Sequence, residues 1–147
     1  MGRVMFWLTW PGLYLYLGHT DRTRVVVVSD SSILVVKSWL GDGKWSLPGG
    51  GLHKREQMLA GAAREVREET GIHIELNQLK ELGQIELSVR GIPLKLYCFR
   101  AALNRSVVPT AQRGEILEVK WIPLKELLSS GVISADTRRV LLLYQGR

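Results

Sequence analysis

Two short apolar runs, Val25 to Val28 and Ile33 to Val36, are divided by the polar tetrad Ser29 to Ser32. Unbroken apolar runs of this length, bounded by turn residues, predict buried strands joined as a hairpin. The polar residues Asp21 to Arg24 predict a joint ahead of the first strand. Lys37 to Lys44, with Gly41-Asp42-Gly43, predicts a loop, and Trp45 to Leu47 a short extended piece. Apolar positions then recur at helical spacing at Leu59, Ala62, Ala63 and Val66, predicting an amphipathic helix closed by Thr70-Gly71. Ile74 to Val89 reads as extended chain with a bend or bulge at Gly83, and Arg90-Gly91 as a hairpin turn. Ile92 to Ala101 predicts another strand, Asn104 to Gly114 a polar loop, and Ile116 to Ile122 a further strand. Pro123 suits the first turn of a short helix over Leu124 to Ser130, and Ser134 suits the N-cap of a final helix ending near Gln145. Strands before and after one central helix, followed by a helical end, predict an α/β layered domain.

The central helix carries more than an apolar stripe. At roughly 100° per residue, Glu65, Glu68 and Glu69 fall within about a 100° arc, the i, i+3, i+4 relation of helix neighbours. Like charges so placed cost a few tenths of a kcal/mol per pair even in water, so stability alone does not select them. Hard divalent cations take oxygen ligands, commonly one or two carboxylates with waters and substrate phosphates. Arg64, four residues before Glu68, can orient or partly neutralise such a cluster. The glycines Gly49-Gly50-Gly51 ahead of the helix let backbone approach a ligand closely.

The positions Gly50, Glu56, Arg64, Glu65, Val66, Glu68, Glu69, Gly71 and Ile72 fit the pattern G-x5-E-x7-R-E-U-x-E-E-x-G-U, where U is apolar. With every defined position filled, the stretch Gly50 to Ile72 resembles the Nudix box. Trp45-Ser-Leu-Pro48 before it, and Glu115 six residues before Trp121 after it, are similar to the flanks of that family. Many members have Gly just before the first box glutamate, whereas this chain has Arg55 there, in the run His53-Lys54-Arg55. The resemblance implies a Nudix-type α/β/α sandwich around a mixed β-sheet, spanning residues 1–147 as one domain with 1–20 as an aromatic-rich extension. It implies Glu65, Glu68 and Glu69 as ligands of Mg²⁺, with Mn²⁺ a substitute, and Glu56 and the Gly50 carbonyl as supporting contacts. Glu68, Glu69 and Arg64 are then catalytic, together with Glu115 as an acidic group on a loop opposite the helix; Glu118 is the runner-up for that place.

Composition narrows the setting only slightly. The chain has 147 residues, 46% hydrophobic and 23% charged, as expected of one globular domain. A net charge of +6 suits an anionic partner, but the basic residues are scattered. Cys98 is the single cysteine, so no intrachain disulfide forms, and a reducing cytoplasmic location is expected. His19, His53 and His73 lack zinc-site spacing. Residues 1–20 are dense in Trp, Tyr, Phe and Leu. Pro11-Gly12 cuts this run below the roughly 20 apolar residues of a membrane span, and no small-residue cleavage site follows. Packing on its own domain, a homodimer contact and a membrane-surface position are the three expectations for it; a membrane role is the least favoured.

By resemblance, the activity expected is Mg-dependent hydrolysis of a diphosphate linkage in a nucleoside diphosphate joined to another moiety. Lys54 and Arg55 are candidates for substrate phosphate, and Trp39 for stacking on a base. No DNA partner is expected. Two further readings stay open: an enzyme processing RNA 5′ ends, and a non-catalytic nucleotide-binding regulator with the same fold.

Overall fold

A computed structural model of the chain describes residues 21–89, 91–104, 107–112 and 114–147. The aromatic extension, and with it the expected dimer contact, lies outside these residues, as do Arg90 of the hairpin turn and part of the loop after Asn104. Five strands form one mixed sheet: β1 (Arg22–Ser29), β2 (Ser32–Ser38), β3 (Lys80–Val89), β4 (Ile92–Leu103) and β5 (Ile116–Pro123), in the spatial order β3-β4-β1-β2-β5. β1 runs parallel to β4, and every other neighbouring pair is antiparallel. Three helices complete the described architecture: α1 (Met58–Thr70), α2 (Leu124–Ser129) and α3 (Ala135–Gln145). A 3₁₀ turn, Leu76–Gln78, leads into β3.

Side chains alternate across the sheet and build two cores. Val25, Val27, Leu34, Phe99 and Ala101 pack with Ala62 and Val66 of α1 on one face. Val26, Ile33, Val35, Leu96 and Cys98 pack with Leu127, Val140 and Leu141 of α2 and α3 on the other. These three layers are the α/β/α sandwich expected from the sequence. Gly83 sits at φ 126 where the β3–β4 register shifts, which is the expected bulge, and Gly71 caps α1 at φ 72.

The polar joint expected at Asp21 to Arg24 is instead strand, since β1 already begins at Arg22. Polar residues can open this strand because partners satisfy them. Thr23 is fully buried, and its N–H donates to the Gly50 carbonyl at 2.9 Å. The hairpin is also shorter than its sequence suggests. β1 and β2 pair only at Val28 with Ile33 and Ser29 with Ser32, and then part. Into the gap runs the segment 45–51. Ser46 exchanges two backbone hydrogen bonds with Val36, both 2.9 Å, while the Pro48 and Gly50 carbonyls accept from Val25 and Thr23. The glycine loop is thus held as sheet backbone at the edge of the α1 layer.

Candidate active site

The sequence predicted a buried stripe through Leu59, Ala62, Ala63 and Val66, with the glutamates beside it. The helix is turned further than that. Leu59 is exposed and Ala63 only partly buried, while Glu65 and Glu69 lie in the buried face, at 3% and 8% exposure, alongside Gly61, Ala62 and Val66. An acidic residue tolerates such a position only with polar partners, and the structure supplies them. The Gly49 N–H donates to Glu69 Oε2 at 3.0 Å. Arg64 Nη1 donates to Glu65 Oε1 at 2.7 Å and to Glu68 Oε2 at 3.1 Å.

Arg64 is the hub of the cluster. Its Nε and Nη2 donate to the two oxygens of Glu56 at 2.7 and 2.9 Å, a bidentate pair, and Nη2 also reaches the Gly51 carbonyl at 3.1 Å. The Arg64 hydrogen bond holds the Glu56 carboxyl at about 2, with the His53 N–H assisting and burial opposing. The same pairing pushes the Arg64 guanidinium above its already high ordinary value. Glu56 Oε2 accepts the His53 N–H at 2.8 Å, fixing the loop that enters α1.

Two glycines let the loop approach these carboxylates. A Cβ on Gly50 would stand 2.7 Å from the Glu65 carboxylate, and a Cβ on Gly49, at φ 143, would run into the Thr23 carbonyl. The Gly50 carbonyl, expected at the metal, also accepts from the Thr23 N–H. Four carboxyl groups against one guanidinium leave uncompensated formal negative charge, and all donors are hard oxygens. The set fits a divalent cation such as Mg²⁺ in chemical kind. Among the described residues no three acidic, His or Cys side chains stand gathered at metal-holding spacing, and Arg64 is what the Glu56, Glu65 and Glu68 oxygens face here.

The remaining sequence candidates separate into two groups. Lys54 and Arg55 are exposed on the loop before α1, and Arg55 adopts the left-handed φ of 65° that glycine takes most easily. Trp39 is 59% exposed, and its backbone N–H donates to the Glu115 backbone carbonyl at 3.1 Å, so the two residues adjoin along the main chain. Glu118 is elsewhere. It pairs in register with Lys37 and shares the sheet face of Val35, opposite α1, with ion pairs of 3.4 Å to Lys37 and to Lys120. The Lys120 and Lys37 ammonium groups hold its carboxyl below the usual range.

Sequence reasoning missed Arg24, Asp136 and Thr137, which fasten the glycine loop from the α3 side, and Thr23, whose backbone N–H holds Gly50 from β1. The only signal was a pair of arginines, Arg22 and Arg24, in front of an apolar run. Cys98 is buried, and burial pushes its thiol up to about 11.

The profile of the NUDIX domain family matches residues 19–143. A MutT-like protein of Streptomyces ambofaciens is 36% identical over 109 residues, covering 74% of this chain and 67% of that protein. Nudix hydrolase 7 of Arabidopsis thaliana is 31% identical over 114 residues, covering 74% of this chain and 40% of its own length. The chain spans 29% to 40% of the length of three such Arabidopsis relatives. Among solved structures, the NUDIX domain of Shewanella oneidensis NrtR, complexed with ADP ribose, superposes with a TM-score of 0.75 at 18% identity, over 92% of this chain and 97% of that one. Among the described residues no helix is long and apolar enough to cross a membrane.

Proposed function

Since the chain belongs to the Nudix family, we propose that it hydrolyses a diphosphate linkage in a nucleoside diphosphate joined to another moiety, with Mg²⁺ or Mn²⁺. One observation carries this reading: Arg64 gathers Glu56, Glu65 and Glu68 around a single guanidinium, with Glu65 against the bare backbone of Gly50. Glu65, Glu68 and Glu69 would hold the cation, with Glu56 and the Gly50 carbonyl in support. When bound, such an ion polarises phosphate oxygens and makes a water more acidic.

The chain's own groups do the rest. Arg64 keeps the carboxylates in one place and limits their mutual repulsion. Glu115 takes the proton of the attacking water, a role that suits a loop carboxylate completing the site when substrate binds. Lys54 and Arg55 meet substrate phosphate as exposed cations, and Trp39 offers a flat face to a base. The decisive experiment is a phosphatase-coupled screen with Mg²⁺ and Mn²⁺. Its panel is nucleotide sugars, dinucleoside polyphosphates, ADP-ribose, NADH and nucleoside triphosphates. Metal-dependent phosphate release from a compound of the class is the expected result; silence across the panel, with Glu68→Gln indistinguishable from wild type, would overturn the reading.

A further inference from the structure

The glycine loop is gripped from two sides, and only one grip belongs to the acidic helix. On the opposite face of the sheet, Arg24 Nη1 donates to the Gly49 carbonyl at 2.8 Å and to the Thr23 carbonyl at 3.3 Å. Arg24 Nε donates to Asp136 Oδ2 at 3.2 Å, with both side chains largely buried. Burial pushes the Asp136 carboxyl up, but the Arg24 charge and the Ser134 and Thr137 hydrogen bonds outweigh it, and the group sits below its ordinary value. One residue further along α3, Thr137 Oγ1 accepts the Leu47 N–H at 3.1 Å. The first turn of α3 therefore fastens Leu47 and, through Arg24, Gly49.

The geometry has a consequence at the acidic cluster. In a trans peptide the N–H points opposite to the carbonyl, and the structure contains no cis bonds among its described residues. With the Gly49 carbonyl turned to Arg24, the Gly50 N–H is turned the other way, toward the α1 layer. In the preceding peptide the Pro48 carbonyl is turned to Val25 and the Gly49 N–H to Glu69. Arg24 thus fixes the plane of the peptide next to the one that holds Glu69.

We infer that Arg24, anchored by Asp136, is a positioning residue for the hydrolysis: it sets the Gly49–Gly50 peptide, and through it the placement of Glu69 and Glu65. The inference rests on the function proposed above for those glutamates. Arg24 itself touches neither substrate nor reacting atoms. Its effect belongs in turnover, because a misplaced carboxylate costs most in the transition state.

The test compares Arg24→Met, Arg24→Lys and Asp136→Asn in the full chain, with two readouts. The first is hydrogen exchange at the Gly49 amide in metal-free protein, measured against the core amides of Val26 and Val27. The second is steady-state kinetics on the substrate found by the screen. Arg24→Met is expected to speed Gly49 exchange ten-fold or more while the core amides change together and by less. It is expected to lower kcat about ten-fold with KM within two- to three-fold. Arg24→Lys, which keeps the charge and can reach either partner, recovers part of both, and Asp136→Asn moves both in the same direction. A uniform rise in exchange at Gly49, Val26 and Val27 would make Arg24 a plain structural residue and overturn the inference, as would an unchanged Gly49. If the wild type hydrolyses nothing, the proposed function falls; selective loosening of Gly49 would still support the grip itself, and its absence would overturn that too.

Discussion

The Gly49 amide donates to Glu69 Oε2 at 3.0 Å, joining the glycine loop to a glutamate that is only 8% exposed. Glu68, one residue before, is partly exposed and bonded to Arg64. Two adjacent glutamates of one helix thus have different duties before any ion arrives. Glu69→Ala is expected to destabilise metal-free protein by about 1–3 kcal/mol, since it strands a buried donor. Glu68→Ala should stay within about 0.5 kcal/mol. Urea unfolding in the presence of a chelator checks this, and equal losses would contradict it. Mg²⁺ should then stabilise wild type more than either variant, as a ligand of the folded state does.

Arg55 holds a left-handed backbone at φ 65. For an L-residue with a β-carbon this costs roughly 1–2 kcal/mol, which glycine's greater freedom when unfolded offsets in part. Arg55→Gly is expected to leave stability unchanged or raise it by up to about 1 kcal/mol. If the guanidinium meets substrate phosphate, the same change raises KM roughly five-fold, equivalent to about 1 kcal/mol. Thermal melts and initial rates separate the two effects. An unchanged KM removes Arg55 from the substrate contacts.

Glu115 and Glu118 lie three residues apart but are not equivalent. Glu118 faces away from α1 and is paired with two lysines, whereas Glu115 adjoins Trp39. Glu115→Gln keeps size while removing basicity, and kcat is expected to drop ~10²-fold or more with little change in melting temperature. Glu118→Gln should lose far less. The reverse ranking would move the base to Glu118, and two active variants would return it to the box glutamates.

The Arg64–Glu56 pair makes a prediction about pH. Glu56 has a folded value of about 2 against 4.5 for the free side chain. A depressed carboxyl stabilises the fold fully above its unfolded value, and that contribution is lost as pH falls through the folded one. In chelator, wild type should exceed Glu56→Gln in stability most clearly near about pH 6. The gap should narrow between 4.5 and about 2. Denaturant melts across this range would show it; a gap that stays constant would mean that ionisation of Glu56 contributes nothing.

What could be read from the sequence was whatever a single element encodes. The periodicity of α1 and its glutamate spacing are local, and so are the Gly71 cap, the Gly83 bulge and the Ser134 start of α3. The rotation of α1 was not legible, because apolar Leu59 competes on paper with Glu65 and Glu69 for the core. The outcome depends on partners, Gly49 and Arg64, that make burial of a carboxylate tolerable. Arg24 and Asp136 are 112 residues apart, and no periodicity links them. The strand character of Arg22 to Arg24 was hidden for the same reason: polar residues look like a joint until their hydrogen bonds are seen.

The parting of β1 and β2 around segment 45–51 also limits how the chain can change in length. One residue added between Ser46 and Gly50 would put the Pro48 and Gly50 carbonyls out of step with Val25 and Thr23, because strand positions alternate in direction. It would break the sheet as well as the loop. The turn at residues 39–44, stabilised locally by the Lys44 N–H on Asp42 Oδ1 at 3.1 Å, carries no such register. Between β2 and α1, a change in chain length is therefore expected to be tolerated in the turn at residues 39–44 and not in the paired segment 45–51.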